Sequence, residues 1–179
     1  LLQFGRDVAF GAHQRLLANP LLGHAVFVGV AHLDVVAENV VETDFERWNL
    51  CSFALFLLKF NAWLDRNAKT SKDAEDMSFI LSNYFMANLD REMHQEVYDW
   101  ENFDEYIVGG YWLAHDLVAL LDVNQLNYYK EVVKEELVKE EKSRLFNQMI
   151  ESSYGLKYET VRDTWQAIVN VFQKAVENE

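Results

Sequence analysis

The sequence predicts an α+β protein, with a small mixed α/β part over residues 1–50 and a mainly helical region over residues 51–179. Three observations lead there. Turn-forming residues crowd the start, where Gly5, Gly11, Pro20, Gly23 and Gly29 punctuate the chain. Ala25 to Ala31 (AVFVGVA) and His32 to Val36 (HLDVV) are short and rich in β-branched residues, which suit a pleated, half-buried surface. Beyond residue 50 the apolar residues recur at helical spacing, and capping residues stand before several of these runs.

In chain order, Arg6 to Ala18 predicts a helix with Val8, Leu16 and Leu17 on its apolar side. The two strand-like runs follow. Ser52 is placed to cap a helix from Phe53 to about Arg66. Ser71 is placed to cap the next, which runs to about Met86 with Asp73 and Glu75 in its first turn, where the helix dipole favours anions. Leu89 to Asp104 is acidic and aromatic with weak periodicity, and predicts a loop with a short helix. Glu105 to Leu121 predicts a helix whose Gly109-Gly110 pair permits close approach of a neighbouring backbone. Gln125 to about Ser152 predicts one long helix with a solvated face of mixed charge, including Lys130, Lys134, Glu135, Lys139, Glu140 and Lys142, ended by Gly155. Glu159 to Val176 predicts a last amphipathic helix presenting Val161, Trp165, Ile168, Val169 and Phe172.

Half of the residues are apolar and 14% are aromatic, enough to bury a core and too many for a disordered chain. A net charge of −13 argues against non-specific grip on a nucleic-acid backbone, although Lys59, Arg66, Lys69 and Lys72 lie close enough in sequence to form a local positive cleft. Cys51 is the single cysteine, so no disulfide forms within the chain and a reducing compartment is expected. It reads as a small core residue. No apolar run reaches bilayer-spanning length, and LLQFGRD lacks the basic region and cleavage site of a secretory signal; a cytoplasmic protein with no membrane partner is expected.

Chemistry is best sought between Leu55 and Leu81. Lys59 sits mid-run among Phe56, Leu58, Phe60 and Trp63, so it either snorkels to solvent or points toward an anion. Asp65-Arg66 closes that run. Lys72 then opens the next with Asp73 and Asp76, which share a helical face and whose plainer reading is capping charges with a local ion pair. Asp34, inside an apolar strand-like run, reads either as a metal ligand at a sheet rim or as a solvated edge residue. The five histidines show no zinc-ligand spacing, and no phosphate loop, nucleophile elbow or Gly-x-Gly-x-x-Gly is present.

The stretch ALFLLKFNAWLDRNAKTSKDAEDMSFILSNY resembles the C-terminal half of a bacterial family of predicted nucleotidyltransferases. That family is similar to the abortive-infection nucleotidyltransferase toxins of the polymerase-β-like superfamily. FDEYIVGGYWLAHDLVALL and SRLFNQMI resemble its later helices, and the likeness spans roughly residues 50 to 150. More weakly, LLQFGRDVAFGAHQRLL resembles its opening strand, turn and helix, and HLDVV its third catalytic strand; the paired Asp-x-Asp expected between them is absent.

The resemblance implies transfer of a nucleoside monophosphate from an NTP to a hydroxyl on RNA, protein or a small molecule, with Mg²⁺ as cofactor and an antitoxin as a further partner. It implies Asp34 as a Mg²⁺ ligand and catalytic residue, Gly5 and Arg6 at the triphosphate, and Lys59 and Lys72 against phosphate charge. Asp65, Arg66, Asp73 and Asp76 would support the same site. Without the acidic pair, the alternative is a catalytically inactive relative acting as a helical protein-interaction or regulatory module.

Overall fold

A computed structural model describes the backbone of residues 44–178 and the side chains of residues 52–178. The chain divides into two units, Leu1–Asp44 and Phe45–Glu179. Six α-helices make up most of the second: α1 (Asp44–Arg66), α2 (Lys72–Tyr84), α3 (Glu105–Leu120), α4 (Val123–Val138), α5 (Arg144–Ser152) and α6 (Tyr158–Glu177). Three 3₁₀ turns, Met86–Asn88, Gln95–Asp99 and Glu140–Lys142, lie in the connections. No strand occurs among the described residues, so the α+β expectation is corrected: the protein is mainly helical. The predicted strands at 25–31 and 32–36 and the helix at 6–18 lie outside the described residues. Residues 44–50, assigned to the mixed part, belong to α1. No helix among the described residues is long and apolar enough to cross a membrane.

Side-chain partners explain where the helices begin and end. Ser52 was expected to cap a helix but lies inside α1, buried, with its side chain bonded to Tyr84 on α2. A serine can cap a helix or serve as a small polar packing residue, and here a distant hydroxyl decided between them. Asp104 starts α3 by accepting from the amides of Tyr106 and Ile107. Asp122 and Gln125 close a reciprocal capping box at the start of α4.

The single helix expected from Gln125 to Ser152 is two helices. Glu140 takes a left-handed backbone (φ 51°), and Ser143 then caps α5 by accepting from the Phe146 amide. The Ser143 hydroxyl donates to Glu136 on α4 at 2.7 Å, so the corner is locked by a buried bond. The charged run hid this break, because Lys and Glu suit a helix and a solvated corner alike. Gly155, with φ 82°, belongs to the turn after α5 rather than to its last residue.

The apolar stripe of α6 is buried as its periodicity predicts: Val161, Trp165, Ile168, Val169 and Phe172 face inward. This helix packs on α3, α4 and α5, and α2 packs on α3 and α5. Trp165 lies at the centre, with ring centroids 5.8 Å from Phe56 and 5.3 Å from Phe60 on α1. Burying such rings contributes area and adds about 0.5–1.5 kcal/mol per aromatic pair.

The glycine pair of α3 faces two neighbours. A Cβ on Gly109 would stand 2.7 Å from the Leu81 carbonyl oxygen of α2 and 3.3 Å from Tyr84 Cβ. A Cβ on Gly110 would overlap the Thr164 methyl of α6. Thr164 is fully buried, with its hydroxyl donating to the Thr160 carbonyl. Gly109→Ala therefore lowers unfolding free energy by about 1–3 kcal/mol despite alanine's better helix propensity, because the clash is with backbone. Urea denaturation of the full chain checks this; equal or greater stability would mean that α2 and α3 are not in backbone contact.

Candidate functional site

Lys59, Arg66, Asp73 and Asp76 come together where α1 ends and α2 begins. Phe56, Phe60 and Trp63 turn one face of α1 into the core, and Lys59 stands at the edge of that face with its side chain 25% exposed. Its ammonium reaches outward to Asp76 Oδ2 at 2.6 Å and stands 4.0 Å from Asp73 Oδ1. Arg66, in the last turn of α1, grips Asp73 with both arms of its fork: Nε donates to Oδ2 at 2.6 Å and Nη2 to Oδ1 at 2.7 Å.

Burial differs sharply across this cluster. The Asp73 side chain is 1% exposed, whereas that of Asp76 is 48% exposed. Asp73 lies in the first turn of α2, where unpaired amides and the helix dipole favour a carboxylate. The Asp73 hydrogen bond and charge, aided by Asp65 and Asp76, raise the Arg66 pKa above its ordinary value against the cost of burial. Bidentate pairing of this kind is directional as well as strong, so Arg66 fixes where Asp73 points.

The remaining predicted residues stand apart from this network. Asp65 and Lys72 are exposed, and neither forms an ion pair among the described residues. Ser71 occupies the N-cap position of α2 without accepting from a backbone amide; its hydroxyl bonds the Glu75 carboxylate instead. Gly5, Arg6 and Asp34 lie outside the described residues. Magnesium does not fit the carboxylates that are described here: both oxygens of Asp73 are held by Arg66, and Asp76 is engaged by Lys59. Among the described residues no group of three or more His, Cys, Asp or Glu side chains is arranged to hold a metal ion.

A second polar cluster, which sequence reasoning passed over, joins α2, α3 and the connection between them. Asp116 on α3 accepts from both arms of Arg91, each at 2.9 Å, and from the Tyr84 hydroxyl at 2.5 Å. Burial, reinforced by Asp116, raises the pKa of Tyr84. His115, next in the chain to Asp116, stacks on His94. The His-Asp step was visible, but its partners lie on other elements at spacings that match no ligand motif.

No protein-family model matches the chain, and neither a curated protein nor a solved structure matches it.

The unequal burial gives a graded expectation. Asp73→Asn leaves Arg66 without a full counter-charge and costs about 2–4 kcal/mol, somewhat less than a fully buried pair because Arg66 can turn toward water. Asp76→Asn costs less than about 1 kcal/mol, as exposed pairs do. Chemical denaturation of the two variants at neutral pH measures both; equal losses would show that burial does not set the hierarchy.

Proposed function

We propose that this chain is a nucleotidyltransferase-like protein in which Lys59 meets the phosphate charge of an NTP whose nucleoside monophosphate passes to a hydroxyl acceptor. The observation that supports this reading is the meeting of Lys59, Arg66, Asp73 and Asp76 in one charged network. These residues come from the three separated elements that carry the resemblance: the mid-helix lysine, the Asp-Arg step and the Lys-Asp-x-x-Asp opening. A simple helix-to-helix brace needs only the Arg66–Asp73 pair. Lys59 and Asp76 add a second, more exposed pair beside it.

In this reading the two carboxylates have different tasks. Asp73, buried and clamped, holds the network in place and adds negative charge 4.0 Å from the lysine. Asp76, half exposed, is the partner that a polyanion displaces. Lys72, exposed at the start of α2, offers a further cation to the same ligand. The acceptor class remains that of the resemblance: RNA, protein or a small molecule bearing a hydroxyl. The Mg²⁺ expected from the resemblance requires ligands other than the described carboxylates, and no step is derived through it.

A second reading, an inactive relative serving as an interaction or regulatory module, is favoured by one observation. Lys59 and Arg66 already have carboxylate partners within the unit, so the network is complete without a ligand.

Nucleotide titration of the full chain in the presence of Mg²⁺ separates the two. Lys59→Met is expected to weaken NTP binding about tenfold or more, the value of a charge-assisted hydrogen bond. Asp76→Asn, which frees the lysine, is expected to tighten it. Opposite signs in two variants of similar stability are not produced by a fold defect. Unchanged affinity in both would sink the nucleotide reading, and a partner recovered by such an inert chain would establish the module.

A further inference from the structure

We propose that His94 and His115 form an acid-operated latch that holds the connection between α2 and α3, residues 86–104, against α3 and releases it on protonation. The two imidazoles stack face to face, with centroids 3.6 Å apart and planes 21° from parallel. His115 projects from α3, whereas His94 sits at a left-handed backbone position (φ 61°) that leads into the 3₁₀ turn Gln95–Asp99. The stack is therefore a junction between an anchored helix and a segment with little regular structure.

Other contacts converge on the junction. The Trp112 indole of α3 donates to the His94 carbonyl at 3.0 Å. Tyr111 of α3 meets both imidazoles edge-on, and its hydroxyl donates to Glu96. From the connection itself, Arg91 lies 5.6 Å from the Trp112 ring centroid and is bound to Asp116. Tyr84 of α2 completes the set by donating to that same aspartate.

Charge on the imidazoles works against this arrangement. His115 Nε2 is buried with no hydrogen-bond partner among the described residues, so a proton there would find no acceptor. Its neighbours are a second imidazole and the Arg91 guanidinium. Asp116, the nearest carboxylate in the chain, is already taken by that guanidinium and by Tyr84. Glu96 stands 3.6 Å from His94 Nδ1, and its charge and that of Asp116 offset only part of the penalty on a charged His115. Burial first, then His94 and Arg91, depress the His115 pKa to about 4, against an ordinary value of 6.5.

The sign follows from linkage. A histidine depressed in the closed form takes up its proton on opening, so closure is fully favoured above about pH 6.5 and weakens as pH falls toward 4. The opening equilibrium rises at most about tenfold per pH unit in that window, or roughly 30-fold between pH 7.5 and 5.0. Opening would uncover Phe85 and Trp112, on which Tyr98 and Phe103 now lie. It draws on residues distinct from the Lys59 network and does not depend on the nucleotide reading.

Hydrogen exchange of the full chain, corrected for intrinsic rates, provides the test. The Trp112 indole and the amides of Asn88, Arg91 and Trp100 report the connection, and the amides of α6 report global unfolding. The expected result is a loss of protection in the connection of about 10- to 30-fold between pH 7.5 and 5.0, at a level that stays well below the protection of α6, so that the exchange is local rather than global. His115→Phe, which keeps a ring and cannot take the proton, should abolish that loss. Protection in the connection equal to that of α6, no loss, or a loss that persists in His115→Phe would overturn the latch. Should that variant fail to fold, NMR titration of the unsubstituted chain decides. A His115 midpoint well below 6.5, with loss of the His94 contact as it titrates, supports the proposal; an ordinary midpoint with the stack intact refutes it.

Discussion

Gly109 and Gly110 let α3 lie against α2 on one side and against α6 on the other, at separations that a single methyl group would violate on either side. Dense packing leaves little room for adjustment in a contact of this kind, so the position of α3 follows from the two surfaces it touches. Thr164 and Ile168 face one glycine and Leu81 and Tyr84 the other, which ties the register of three helices to two adjacent positions. The remainder of the core grows outward from there. Trp112, Leu113 and Ala114 continue the buried face of α3, and Trp165 carries the core across to Phe56 and Phe60 of α1.

The polar groups inside this frame fall into two sets with different physics. At the join of α1 and α2, opposite charges meet, and the most buried member, Asp73, has the most complete partner. Such an arrangement holds geometry at small net energetic gain, because desolvation offsets most of the attraction. Between α2, α3 and their connection, the Arg91–Asp116–Tyr84 set is likewise paired, but the adjacent imidazoles of His94 and His115 meet by stacking and make no hydrogen bond to each other. A paired network resists changes of pH over the neutral range, whereas a buried imidazole nitrogen without a partner, as at His115 Nε2, is sensitive to them.

Much of this was legible in residue order. The stripe of α6, the start and end of α3 and the close approach at its glycines follow from spacing and from the absent side chain. Proximity within the Lys59–Asp76 stretch was also foreseeable, since a short link between two helices must bring their adjoining ends together. Which carboxylate would take Arg66 was not. Asp73 and Asp76 share a helical face, and only the seating of α2 on its neighbours buried one and left the other in water. The break at Glu140 was illegible for a related reason: its lock is the bond from Ser143 to Glu136, and local propensity carries no record of such a bond.

By itself, then, the sequence determined the helical periodicities, the turn-prone positions, the charge balance and the grouping of ionisable residues around Lys59, all of which depend on neighbours within a few positions. Only the tertiary structure decided that residues 44–50 belong to α1, that Ser52 serves packing rather than capping, that Arg66 clamps Asp73, and that His94 meets His115. These outcomes rest on partners distant in the chain. Hydrogen bonds and burial select among such partners only after the helices have been brought together by the apolar surface they hide from water.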